Sequence, residues 1–491
     1  MPDPQKSLPP YQSSGSMRLL AEQAFSRAAG APLLNGNRVD LLIDGQANFD
    51  AWLAAIRSAQ SSILFENYIF RDDELTRGIR DALVERARAG VKVMIIRDWL
   101  GCLGQSGQGL WQPLLAAGGE VRTFNPPNLG SPFGWVSRDH RKLLVVDAAV
   151  GFLGGVCVSA KWLGDEKKGI APWRDTGVAV RGPAVGDLAA SFAETWSQLG
   201  SELPPGFLDP FHSIEIAGNT DLRVIATLPS MAGLYRLDQL IAAMARQRLW
   251  LTDAYFVGIA PYVQALSAAA RDGVDVRLLV PGTSDIPAVG RLSRAGYRPL
   301  LEAGIRVFEW NGSMLHAKTA VADGRWSRVG SSNLNIMSWM GNCELDISVE
   351  DQEFAQGMER QYETDLQNAT EIVLSERSRI CLLRQQARQR KRFARQGGSS
   401  GRAAAGALRL ANSMGAAITN RRMLGPAESI SLGGGGLLLA ATGTIAAIWP
   451  KSIAWPLAVL SFWFASILLA RFFSARKRTR QADRPDDHRA D

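Results

Sequence analysis

Cysteine is scarce in this sequence: Cys102, Cys157, Cys343 and Cys381 are the four among 491 residues, scattered and without a C-x-x-C pair. That spacing excludes a zinc ribbon or a disulfide framework and suits a reducing compartment. Histidine is as rare, with four residues in the whole chain. No apolar run follows Met1, where Asp3, Lys6 and several prolines and serines stand, so no cleavable signal peptide is expected. The Gly-rich run Gly104 to Gly109 lacks the Lys-Ser/Thr ending of a P-loop and reads as a flexible loop. What is abundant points elsewhere. With 46% hydrophobic and 21% charged residues the chain is globular, and its length exceeds one ordinary domain.

Two of the four histidines sit in copies of one pattern, His-x-Lys-x4-Asp: His140, Lys142, Asp147 and His316, Lys318, Asp323. Gly154 and Gly330 each lie fourteen residues past the histidine, opening Gly154-Gly155-Val156-Cys157 and Gly330-Ser331-Ser332-Asn333. A single His-x-Lys on a strand is more often a structural pair than a site. Two copies with matched downstream spacing indicate phosphoryl-group chemistry on a pair of histidines.

The first half of the chain lies over the second beyond these motifs. Glu66-Asn67-Tyr68-Ile69-Phe70 matches Asp253-Ala254-Tyr255-Phe256-Val257, and Ala89 to Ile96 matches Asp272 to Val280. Helical periodicity over 48–59 and 73–89 alternates with apolar strand runs over 62–70 and 92–98. Such alternation predicts an α/β fold of two tandem α-β-α layered units with a mostly parallel central sheet, related by a pseudo-twofold axis. The expected segments are a polar and helical extension (1–36), a first half (37–205) and a second half (206–366). A loop over 125–139, rich in Pro, Gly, Phe and Trp, is expected to shape substrate access.

A basic juxtamembrane linker is expected over 367–428, and Arg384 to Arg395 is its most cationic part. Ser429 to Pro450 and Ser452 to Ala470 hold no charged residue. At about 1.5 Å per helical residue, 18–20 residues match a hydrocarbon core of about 30 Å. A C-terminal transmembrane helical hairpin is therefore expected over 429–473, followed by a charged tail over 474–491. Arg and Lys flank the outer ends of both runs, which places both chain ends in the cytoplasm by the positive-inside rule. Cationic segments beside membrane spans favour anionic lipid over nucleic acid as partner.

The residue types suit phosphodiester exchange. A neutral imidazole attacks phosphorus, and an imidazolium opposite it protonates the departing alkoxide. Lysines with Asn or Ser donors hold the non-bridging oxygens as charge builds. The scheme predicts histidine environments that push the two pKa values apart, and a carboxylate on each Nδ1–H. Asp175 and Glu344, 35 and 28 residues after the histidine of their own half, are the candidates. Asp147 and Asp323 follow strand-like runs and read as buried structural partners rather than acids.

The paired motifs, together with Gly330-Ser331-Ser332-Asn333, resemble the signatures of the phospholipase D superfamily. Trp173-Arg174-Asp175 and Asn342-Cys343-Glu344-Leu345 are similar to its bacterial cardiolipin synthase branch, nearest the short B type, over residues 37–365. The resemblance implies a catalytic set of His140, Lys142, Asp147, His316, Lys318 and Asp323, with Asp175, Glu344, Ser331 and Asn333 supporting it or binding phosphate. It implies no metal and no cofactor. It further implies a two-step transfer through a phosphatidyl-histidine, with His140 as nucleophile, His316 as acid, and phosphatidylglycerol as both donor and acceptor. The expected setting is the bacterial inner membrane, with the catalytic part cytoplasmic and anionic phospholipids as partners. Hydrolysis to phosphatidic acid differs only in the acceptor; a nuclease or a lipid-binding scaffold stands further off. The chain departs from the superfamily pattern at Cys157, where a phosphate-binding Asn is usual, and in the C-terminal position of its apolar hairpin.

Overall fold

Seven strands in the first half are repeated by seven in the second. The computed structural model describes residues 22–127, 136–374 and 380–382, with positions 455, 462, 463 and 466 beyond them. The first set is β1 Leu34–Ile43, β2 Ser62–Asn67, β3 Lys92–Asp98, β4 Glu120–Phe124, β5 Lys142–Val146, β6 Val150–Gly154 and β7 Thr176–Arg181. The second is β8 Thr220–Thr227, β9 Arg248–Thr252, β10 Asp275–Pro281, β11 Arg306–Trp310, β12 Thr319–Ala322, β13 Trp326–Gly330 and β14 Glu344–Val349. Two more strands, β15 Ala369–Leu374 and β16 Ile380–Leu382, extend the far edge beside β11.

The strand order reads β1-β7-β6-β5-β2-β3-β4 outward in one direction and β8-β14-β13-β12-β9-β10-β11 in the other. The two lobes meet where β1 pairs antiparallel with β8. One order is thus the other rotated by half a turn, as the duplication predicts. The sheet is mixed, not mostly parallel: among the described residues only β2·β3, β3·β4, β9·β10 and β10·β11 are parallel. The reason is local. Helical crossovers join β2 to β3 and β9 to β10, whereas β5 to β6 and β12 to β13 are tight hairpins, which force antiparallel pairing.

Those hairpin turns account for the aspartate of each motif. Asp147 and Ala148 adopt φ of 53° and 54°, and Asp323 and Gly324 adopt 51° and 60°. Such paired left-handed residues suit the twist of a hairpin, and Asp tolerates the conformation better than most. The Asp147 carboxylate accepts from the N–H groups of Gln60, Ser61 and Ser62 at 2.6–2.8 Å. Asp323 accepts from those of Arg246, Gln247 and Arg248 at 2.8–2.9 Å. Each thereby fixes the entry to β2 or β9.

Helices cover both faces. Helix Glu74–Arg88 starts at Asp73, whose carboxylate accepts from the Thr76 N–H, and buries Ile79, Ala82, Leu83 and Ala87 at helical spacing. With Phe49, Trp52 and Ile56 from helix Asp44–Ser58 it builds the outer core of the first lobe. Helices Gly233–Met244 and Ala260–Arg271 do the same in the second, joined by Phe25 and Ala29 of a helix at residues 22–29. A central core draws on both lobes, with Phe192 and Trp196 of helix Ala184–Gln198 and Met358 and Tyr362 of helix Gln352–Leu366. The expected α-β-α layering is present. No helix among the described residues is long and apolar enough to cross a membrane. The expected hairpin over 429–473 lies outside them, save the four single positions.

Candidate active site

The ends of β2, β9, β5 and β12 that meet at the lobe boundary carry the chemistry. His140 and Lys142 sit at the start of β5, and His316 and Lys318 at the start of β12. Here the two lobes exchange strand contacts. The His140 N–H donates to the Cys343 carbonyl at 2.9 Å, and the Cys343 N–H to the Arg138 carbonyl at 2.8 Å. By the same rotation the His316 N–H donates to the Arg174 carbonyl at 2.7 Å, and the Arg174 N–H to the Met314 carbonyl at 2.9 Å.

The exchange decides which carboxylate meets which imidazole. Glu344, in the second lobe, lies 2.8 Å from Nδ1 of His140 in the first. Asp175, in the first lobe, lies 2.8 Å from Nδ1 of His316 in the second. Asp175 and Glu344 are therefore Nδ1 partners as the sequence suggests, but crossed between halves rather than paired within them. Both carboxylates are fully buried and oriented. The Trp162 Nε1–H donates to Asp175 at 2.7 Å, and the Ser331 hydroxyl and Asn342 amide donate to Glu344 at 2.6 and 3.1 Å. Ser331, expected either to support the catalytic set or to bind phosphate, is aimed at Glu344. Its counterpart Gly155 leaves room for Asp175: a Cβ there would stand 2.1 Å from the Asp175 Oδ1.

Burial pushes both imidazoles down to about 4; Lys142 adds to this at His140 and Lys318 at His316, against the pull of Glu344 and Asp175. The two environments are matched, not pushed apart as expected. Burial alone would raise Glu344 and Asp175, but the adjoining imidazoles, the buried lysines and the Ser331 and Trp162 hydrogen bonds together outweigh it and hold both below the usual carboxylate range. An ionised carboxylate accepts from Nδ1–H, which leaves the Nε2 lone pair of each ring free.

Lys142 and Lys318 are buried, and each Nζ donates to the carbonyl of the histidine two residues before it. Burial draws Lys318 down to about 8. Lys318 also depresses His140, and Lys142 depresses His316, so all four groups share one electrostatic site. Tyr68 stands edge-on to His140 at 4.9 Å, and its counterpart Tyr255 in the second lobe to His316 at 5.8 Å. Trp162 and Trp173 pack on His316 at 5.3 and 5.8 Å. The tyrosines occupy aligned positions of the repeat, and Trp173 adjoins Arg174; those were the available signals for residues that motif reading missed.

Asn333 and Cys157 hold equivalent positions, three residues past Gly330 and Gly154, and both are buried. The Asn333 Oδ1 has no partner among the described residues. Asp147 and Asp323 are not in the site. At about 3.3 Å per strand residue, Asp147 stands roughly 17 Å along β5 from Lys142. They are also half-buried rather than buried. Among the described residues no group of His, Cys, Asp and Glu could hold a metal ion.

A family model described as "Cardiolipin synthase, PLD-like domain" matches residues 52–167 and 238–366. Cardiolipin synthase A of Pseudomonas aeruginosa (strain LESB58) is 35% identical over 368 residues, covering 74% of this chain and 74% of that protein. Cardiolipin synthase A of Pseudomonas fluorescens (strain SBW25) is 34% identical over 364 residues, covering 72% and 74%. Both bear the A name, whereas the motifs had placed the chain nearest the B type. The fold is shared by the crystal structure of phosphatidylserine synthase from Haemophilus influenzae Rd KW20. Its TM-score is 0.56 at 14% identity, over 71% of this chain and 91% of that one.

Proposed function

Since this chain belongs to the phospholipase D-like, bacterial cardiolipin synthase family and is an enzyme of that superfamily, we propose that it joins two phosphatidylglycerol molecules into cardiolipin and releases glycerol. The observation that carries the mechanism is the crossed pair of carboxylate–imidazole contacts, which leaves the Nε2 of each ring free in two imidazoles that share one electrostatic site.

His140 acts as nucleophile. Its Nε2 bonds to phosphorus of the donor while the bond to the headgroup glycerol breaks, and the alkoxide takes a proton from protonated His316. A hydroxyl of the second phosphatidylglycerol then returns a proton to His316 and attacks phosphorus, breaking the P–N bond. Both imidazoles are neutral at pH 7 in the free enzyme, so the substrate itself raises the acid: an anion beside an imidazole favours its charged form. Lys142, Lys318 and Asn333 hold the non-bridging oxygens, with Ser331 acting on Glu344. Residues 37–366 carry the two catalytic halves. The apolar segments over 429–473 anchor the enzyme in the bacterial inner membrane, with the catalytic part cytoplasmic.

Thin-layer analysis of lipids formed by the purified protein from phosphatidylglycerol tests the reading. Cardiolipin is expected, and added glycerol should suppress it by driving the reverse reaction. Phosphatidic acid as the sole product, with or without glycerol, would identify a hydrolase instead.

A further inference from the structure

A hydrolase of this design needs one phosphate site, whereas a transferase that joins two phospholipids needs two. The donor phosphate is served by the buried lysines. Two further cations stand on chain segments beside that site. Arg71 follows β2, and its N–H donates to the Val158 carbonyl at 3.0 Å, so it runs alongside the chain that leads into the short turn Ala160–Trp162. Lys161 lies on that turn, with its Nζ 5.6 Å from the centre of the Trp173 ring, which itself packs on His316. Two ring-sized steps separate the ammonium from the catalytic pair.

Both side chains are half-buried, and among the described residues neither has a carboxylate partner. They repel: after burial, the Arg71 guanidinium is the next cause that lowers the Lys161 pKa. Asp285 is the one carboxylate among the larger influences that raise it, with the Cys157 thiol after it, and that carboxylate is shared with the Tyr255 hydroxyl at 2.8 Å. Asp73, the other carboxylate beside this turn, is taken by the Thr76 and Ala160 N–H groups at 3.1 and 2.8 Å, and among the described residues neither acid forms an ion pair with Lys161 or Arg71. Unpaired like charges held in partial burial are unfavourable, and an anion between them relieves both the repulsion and the lost hydration.

We propose that Lys161 and Arg71 form a second anion site, which holds the phosphate of the acceptor phospholipid; this rests on the transferase reading above. In phosphatidylglycerol only three carbons separate the attacking hydroxyl from its own phosphate, so an acceptor phosphate must lie beside the histidines. The same chemistry could serve the donor phosphate, and the experiment separates the two.

The full chain in detergent micelles is given phosphatidylglycerol together with ethanol, an uncharged acceptor, and the ratio of cardiolipin to phosphatidylethanol is measured. Both products share the donor step, and the ratio cancels any misfolded fraction. Lys161→Gln with Arg71→Gln is expected to lower the ratio at least tenfold, and Lys161→Arg less than threefold. An unchanged ratio, or equal loss of both products, overturns the acceptor site, the latter by assigning the cations to the donor or the fold. A wild type that makes phosphatidylethanol but no cardiolipin overturns the transferase reading, and this inference with it.

Discussion

An imidazole kept neutral by burial costs stability in acid. Below about pH 6.5 the unfolded chain protonates both His140 and His316, while the folded site refuses the proton until about pH 4. The contribution of these two histidines to stability should therefore fall as pH drops through that window and level off below it, by on the order of a few kcal/mol for the pair. Denaturant unfolding as a function of pH, compared with His140→Asn and His316→Asn, reads this directly; identical slopes in all three proteins would contradict it. At the equivalent pair Cys157 and Asn333 the expectation is asymmetric. Removing one donor to a phosphoryl oxyanion costs about 2.7–4 kcal/mol, and a thiol is a weak donor. Asn333→Ala should lower kcat well over tenfold, and Cys157→Ala should keep most activity; equal losses would show that the thiol contacts phosphate. At this scale the histidines, lysines and both carboxylates were legible because the sequence repeats them. Their crossed pairing was not, since spacing along a chain carries no information on which lobe a side chain reaches into. Which of its two expected roles Ser331 takes was not legible either: a hydroxyl near a histidine motif serves a buried carboxylate as readily as a phosphate.

At the level of elements, the duplicated hairpin turns offer a comparison within one molecule. The second has Gly324 at φ 60°, while the first carries Ala148 at φ 54° in the matching position. A left-handed alanine costs roughly 1–2 kcal/mol that glycine does not. Ala148→Gly should thus raise stability by about 1 kcal/mol, less the flexibility glycine adds to the unfolded chain, and calorimetry should show a small upward shift in Tm without loss of activity. A lower Tm would mean that packing at Ala148 outweighs its backbone strain. Strand and helix positions were readable to within a few residues: the run over 92–98 is β3, and 73–89 brackets helix Glu74–Arg88. Strand direction was readable only at the second hairpin, where Asp323-Gly324 is a strong turn signal. An apolar run buried on both faces looks the same whether a hairpin or a crossover delivers it, and the turn that decides, Asp147-Ala148, lacks the usual glycine.

Across the whole molecule the half-turn symmetry explains why one chain needs two incomplete-looking motifs: neither lobe contains the carboxylate that orients its own histidine, so each is competent only against the other. The sheet also shows where the catalytic unit ends. The second half was expected to finish at residue 366, but β15 pairs with β11 from Val307 to Trp310, buries Ile372, and joins Arg306 to Glu371 at 2.8 Å. Cutting after Leu366 would strip β11 of its neighbour and leave its backbone groups open to association with other chains. Cutting after Leu382 keeps both edge strands and removes the basic linker and both apolar segments. We expect the longer fragment, residues 1–382, to be folded and to act on detergent-dispersed phosphatidylglycerol while sedimenting poorly with membranes, and the fragment ending at Leu366 to aggregate. Extending to Arg395 should restore binding to anionic vesicles that weakens as salt rises, because exposed charges are screened at higher ionic strength. A fragment to Leu382 that is folded by circular dichroism yet dead towards micellar substrate would mean that the tail shapes the active site, and the separation of chemistry from membrane location would fail.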